Sequence, residues 1–148
     1  MTVAAGHSPA GERWTVGAHH PRAGGVEFDT RVSGQPDTGG GTSVPSRMGD
    51  RCRAALGSAG YDSGWEQVAG PVDVSVVWVD LRLRDGRHLG VAPRPLHGRR
   101  SHHWLRGFRW MSAFLPRGSE AVAASAYDSH GRRVTRTRSD QGLFLCGH

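Results

Sequence analysis

The sequence predicts an all-β fold, mainly antiparallel: a small β-sandwich or open barrel of six to eight short strands, with at most one short helix. Three observations predict it. Apolar residues recur at every second position in several segments, the period of a half-buried strand. The 22 Gly and 8 Pro among 148 residues suit frequent turns better than helices. Val72 to Val91 holds nine of the chain's 27 Leu, Val and Phe, enough to seed a core in one place.

Taken in chain order, residues 12–32 form a first hairpin. Trp14, Val16 and Ala18 alternate with polar positions, Pro21 to Gly25 turns the chain, and Val26, Phe28, Thr30 and Val32 alternate with Glu27, Asp29 and Arg31. Ser33 to Gly49 is rich in Gly and poor in apolar residues and reads as a long loop or local linker. Arg51 to Leu56 is the one place for a helical turn, with Asp50 as its N-cap and Gly57 and Gly60 as its stop. A short strand follows around Trp65 to Val68. Val72, Val74 and Val76 then alternate, and Val77, Val79, Leu81 and Leu83 continue on the shifted register, so Val76–Val77 marks a bulge or bend. At Arg84-Asp85-Gly86 a two-residue loop would set Leu89 and Val91 opposite charged residues. A three-residue loop with Gly86 left-handed pairs Leu81 with Leu89 and Val79 with Val91 and keeps one face apolar, so it is the expected register. Phe108, Trp110, Ser112 and Phe114 make another strand, Leu115 to Gly118 a turn, and Val122, Ala124 and Ala126 the next strand. Ser129-His130-Gly131 closes a hairpin that pairs Ala126 with Val134, and a last short strand is expected at 143–145.

At this length the chain fits one domain, residues 12–138, with flexible termini at 1–11 and 139–148. All 19 basic residues are Arg, and Lys, Asn and Ile are absent. Those three have AT-rich codons, so GC-rich coding explains the bias, and the pI of 10.9 is weak evidence for nucleic-acid binding. A spurious frame in GC-rich DNA would share this composition, and the alternating strands argue against it. No stretch approaches the ~18–20 apolar residues of a membrane span. Met1 to Trp14 lacks a basic start followed by an apolar run. With only Cys52 and Cys146, the expectation is a soluble cytoplasmic protein with free thiols, unless a start site called too late hides an export signal.

Three segments, GERWTVGAHHPRAGGVEFDTRV, VAGPVDVSVVWVDLRLRDGRHL and FLPRGSEAVAASAYDSHGRRV, cover somewhat under half the chain. On them the sequence resembles a group of small β-rich proteins of high-GC actinobacteria. The resemblance implies a β-fold and carries no catalytic residue with it.

Charge is unevenly spread. Residues 82–138 hold 13 Arg against Asp85, Glu120 and Asp128, whereas the remainder holds 6 Arg against 10 acids. Within the basic half, Arg99, Arg100, Arg106 and Arg109 interleave with Trp104, Phe108 and Trp110. Guanidinium groups pair bidentately with phosphates, and exposed aromatic rings stack on unpaired bases. The competing reading is a basic hairpin whose aromatics belong to the core. His97, His102 and His103 cluster in sequence and Cys146 and His148 close the tail, yet the adjacent His102 and His103 point to opposite faces of any strand and no paired ligand spacing occurs. Gly39 to Gly41 lacks the context of a phosphate-binding loop, no hydrolase or metalloprotease motif is present, and Cys52 lacks an electropositive setting. The sequence therefore points to a non-catalytic binding or interaction module, without a cofactor or metal, whose ligand it leaves open, a protein or an anionic polymer being the candidates. The alternative specifies nucleic acid or another polyanion bound through residues 99–110, with Arg99, Arg100, Trp104, Arg106 and Arg109 as ligand-binding residues.

Overall fold

The computed structural model describes residues 1–48, 52–138 and 144–146, and among them it is all-β and antiparallel, with a single 3-10 turn at His103–Leu105. The strands form three open sheets. The first is a meander of β1 (Thr2–His7), β2 (Arg13–His19), β3 (Val26–Val32) and β4 (Gln35–Val44). The middle sheet runs β10 (Arg94–Pro95), β11 (Phe108–Leu115), β7 (Glu66–Asp73), β5 (Cys52–Ala55) and β14 (Phe144–Cys146), with β6 (Gly57–Gly60) also paired to β7. The third has the order β13 (Arg133–Arg138), β12 (Ala121–Tyr127), β8 (Trp78–Leu83) and β9 (His88–Val91).

The sheets stack in three layers because the middle one is apolar on both faces. On β11, Phe108, Trp110 and Phe114 join Val16, Phe28 and Val44 of the first sheet in one core. The intervening Met111, Ala113 and Leu115 join Val79, Leu81 and Ala124 of the third sheet in another. A strand covered on both sides reads as a near-continuous apolar run rather than an alternation. One polar chain crosses the first core: the Tyr61 hydroxyl donates to Gln67 Oε1 at 2.6 Å, and Gln67 Nε2 donates to Ser112 Oγ at 2.8 Å. Burial first, and then the charge of Glu12, push the Tyr61 hydroxyl up to about 12.

The kink between β5 and β6 lies over Gly70–Pro71 of β7. β6 pairs with residues 66–69 of β7 and β5 with Val72, so Pro71, which has no N–H, sits where the ladder changes partner. The chain passes so close that a Cβ on Gly70 would lie 1.9 Å from the Ala55 carbonyl oxygen.

Several expectations are met and others corrected. The β2–β3 hairpin pairs Trp14 with Val32 and Ala18 with Phe28. Gly86 has φ +89°, and Leu81 pairs with Leu89 and Val79 with Val91, the register expected from the three-residue loop. There are more strands than six to eight, because backbone pairing recruits segments with weak side-chain patterns. Residues 2–7, expected to be a flexible terminus, form β1 against β2. Residues 35–44, within the expected loop, form β4 against β3. The helical turn at 51–56 is replaced by β5, where Ala54 is fully buried and pairs with Val72; Asp50 lies outside the described residues. Of the bulge or bend expected at Val76–Val77, the structure has the bend, a crossover from the middle sheet to the third. Asp73 stops β7, its carboxylate accepting the Ser75 N–H at 3.0 Å and its carbonyl the Val76 N–H at 2.9 Å. Ala126 pairs with Thr135 rather than Val134, because a register shift separates it from the Tyr127–Arg133 pair.

Candidate functional site

The basic segment is the connection from β10 to β11, pinned at both ends by core residues. Leu96 and Leu105 are buried in the first core. The His97 N–H donates to the Val3 carbonyl at 2.8 Å, tying the loop to β1. Gly98, at φ +78°, turns the chain, and its carbonyl accepts the Ser101 and His102 N–H groups. That turn holds Arg99 and Arg100 out at its tip, where both are exposed. Arg106 is also exposed, and its Nε donates to the Arg99 carbonyl at 3.3 Å, which joins the end of the 3-10 turn to the tip. Exposed His97 and His103 flank them.

Electrostatically the loop is unbalanced. No acidic residue occurs from Gly86 to Ser119. The described ion pairs engage Arg53 with Asp73, Arg84 with Glu120, Arg87 with Asp85, His19 with Glu27 and His88 with Asp80. Among the described residues, Arg94, Arg99, Arg100 and Arg106 have no carboxylate within ion-pair distance.

The aromatics behave differently from the arginines. Phe108 and Trp110 are buried, and Phe28 packs against both rings at 5.6 and 5.7 Å. Trp104 is half-buried against the first core, with His20 stacked on its indole at 5.7 Å and 16° and His102 edge-on at 5.5 Å. One indole face is thus already occupied, and Trp104 fastens the loop to the turn between β2 and β3. Arg109 separates from the other three. It lies on β11 in the parity of Met111 and Ala113, the face turned towards the third sheet, and it is only half-exposed. The fold therefore groups Arg99, Arg100 and Arg106, leaves Arg109 aside, and sets Trp104 half-buried between His20 and His102.

Sequence reasoning passed over a second surface feature. Trp78 is 44% exposed and pairs with Tyr127 across β8 and β12. With Asp80, Asp128 and Gly131 they line an open cleft of about 400 Å³. The indole lies over Gly90, where a Cβ would come within 2.0 Å of the ring. The signal was present: Trp78 falls out of phase with Val79, Leu81 and Leu83, so its parity is that of the polar face. Asp80 is held 2.7 Å from His88 Nδ1, and the Asp128 carboxylate, lowered chiefly by the Arg132 N–H, caps its own turn.

Elsewhere, Glu12 accepts hydrogen bonds from Ser63, Ser8 and Gln35, which hold its carboxyl below the usual range against some desolvation. This knot joins the β1–β2 turn to the start of β4 and to the turn before β7. Among the described residues, no group of three His, Cys, Asp or Glu side chains could hold a metal ion, and no helix is long and apolar enough to cross a membrane; His148 lies outside them. No protein family, curated protein or solved structure matches the chain.

Proposed function

We propose that the protein is a non-catalytic binding module that takes an anionic polymer on the loop between β10 and β11. The observation that carries this reading is the exposed trio Arg99, Arg100 and Arg106, held together on a pinned loop without a neutralising carboxylate among the described residues. Guanidinium groups pair with phosphate in a bidentate fork, and a loop backbone already ordered by Leu96, Gly98 and Leu105 loses little entropy on binding. In this reading Trp104 anchors the loop, with His20 stacked on one face of its indole and His102 edge-on to it, and the arginines make the polymer contacts.

Titration of a labelled single-stranded oligonucleotide at several salt concentrations tests the reading. Each phosphate contact contributes about 0.7 of a log unit per decade of salt on single strands. Arg99→Ser with Arg100→Ser should therefore flatten the slope by about 1.4 units. The exposed pair Arg132 and Arg133, changed in the same way, should barely alter it. Equal losses from the two pairs would reduce the effect to net charge and remove the site.

A protein partner is the second reading, favoured by exposed Trp78 beside Tyr127. Trp78→Ala should leave oligonucleotide binding unchanged; a large loss there would transfer the polymer site to the third sheet.

A further inference from the structure

We propose that Cys52 and Cys146, the only two cysteines of the chain, form an intramolecular disulfide that staples the C-terminal strand β14 to β5. The juxtaposition that carries it is the backbone register: in the antiparallel β5–β14 pair, Cys146 is the partner of Cys52. Directly opposed residues in such a pair lie about 4.5 or 5.5 Å apart at Cα, within the roughly 4.4–6.8 Å that cystines span. The pair Phe144–Ala55 is followed by Cys146–Cys52, so two steps on β14 match three on β5. That bulge is what brings the two cysteines opposite one another; a regular ladder would set Cys146 opposite Arg53.

The location gives the bond a physical purpose. β14 has three residues and ends the middle sheet, and among the described residues β5 is joined to β7 through the pair Ala54–Val72. A strand that short on a sheet edge holds few ladder bonds and frays readily. A covalent link closes a loop from residue 52 to residue 146 that contains the whole third sheet and β7, β10 and β11. Long closed loops are where the entropic gain from a cross-link is greatest.

The chemistry is an ordinary exchange. One cysteine, as thiolate, attacks a low-molecular-weight disulfide such as oxidised glutathione and expels a thiolate, giving a mixed disulfide. The second cysteine attacks that sulfur and expels the other. Two protein thiols thereby lose two electrons and two protons, and the oxidant is reduced to two thiols. The bond requires an oxidising compartment, which departs from the cytoplasmic expectation drawn from the sequence.

The full chain is equilibrated with equal concentrations of oxidised and reduced glutathione, alkylated without reduction and cut with trypsin. The expected product is the dipeptide Cys52–Arg53 linked to the C-terminal peptide 139–148, in a monomer on a non-reducing gel. Reductant should then lower the melting temperature by about 10 °C. Cys52→Ser and Cys146→Ser should each melt like the reduced protein and be insensitive to reductant. Reduced wild-type protein provides the same comparison should either variant fail to fold. Two alkylated thiols, a disulfide-linked dimer, or a melting temperature unmoved by reductant would overturn the proposal.

Discussion

Replacing Gly70 by Ala tests the crossing of β5 and β6 over β7 most directly. The added methyl would sit 1.9 Å from the Ala55 carbonyl oxygen, 2.9 Å from its carbon and 3.0 Å from Leu56 Cα. All three are backbone atoms, so no side chain can swing aside. Relief requires the β5–β6 kink to lift by more than an ångström, which threatens the nearby Ala54–Val72 pairing. Overpacking of this kind costs about 1–3 kcal/mol, and a weakened backbone hydrogen bond adds about 1 kcal/mol. Reduced freedom of the unfolded chain returns about 0.4–1 kcal/mol. The expected net loss is about 1–3.5 kcal/mol, or a melting temperature lower by roughly 2–14 °C at this chain length. Gly57→Ala is the control, because it lies on β6 opposite Ala69 with no atom within 4 Å of the new methyl. It should leave stability unchanged or slightly raised. Thermal unfolding followed by circular dichroism compares the two. Equal melting temperatures for the Gly70 and Gly57 variants would refute the close crossing.

Three further outcomes are expected. Gly86→Val should destabilise by about 1 kcal/mol or more, because a β-branched residue resists the positive φ of that turn; an unchanged denaturant midpoint would contradict this. Tyr61 has a folded-state pKa above its unfolded value, so its contribution is fully present below pH 10 and is lost as pH rises towards about 12. Alkaline unfolding should show that decline, and Tyr61→Phe should abolish it while costing about 1 kcal/mol at neutral pH through the lost bond to Gln67. The tyrosinate absorbance difference between the two proteins tracks the ionisation itself. Trp104→Ala should destabilise by about 1–3 kcal/mol yet, on the proposed division in which the indole anchors the loop and the arginines hold the polymer, leave the salt slope of oligonucleotide binding intact; a changed slope at full stability would reverse those roles.

The period-two hairpins were legible because local geometry produced them. Trp14 to Val32 alternates cleanly, and the Asp85-Gly86 turn has a single register that keeps Leu81 and Leu89 on one face. The candidate arginines were legible as a charge cluster, and Trp78 could have been found from its parity on β8. What side-chain pattern does not encode is pairing by backbone alone. The glycines of β4 carry almost no apolar signal, and β1 has only the short run Val3 to Ala5 with no alternation, yet their N–H and C=O groups complete the first sheet. β11 misled in the opposite way: Phe108, Trp110 and Phe114 read as one buried face, while Met111, Ala113 and Leu115 on the other were equally buried.

By itself, then, the sequence determined an antiparallel β-protein, the register of its β8–β9 hairpin and the concentration of uncompensated arginine in its second half, all of which follow from steric and electrostatic preferences of near neighbours. Only the tertiary structure decided that there are three layers, that Arg109 parts from Arg99, Arg100 and Arg106, that Trp104 packs under His20, and that Cys146 returns to lie opposite Cys52. Those outcomes depend on which strands, distant in the chain, come together. Sheet pairing is set by the burial of both faces of β7 and β11 at once, a condition that no single segment carries.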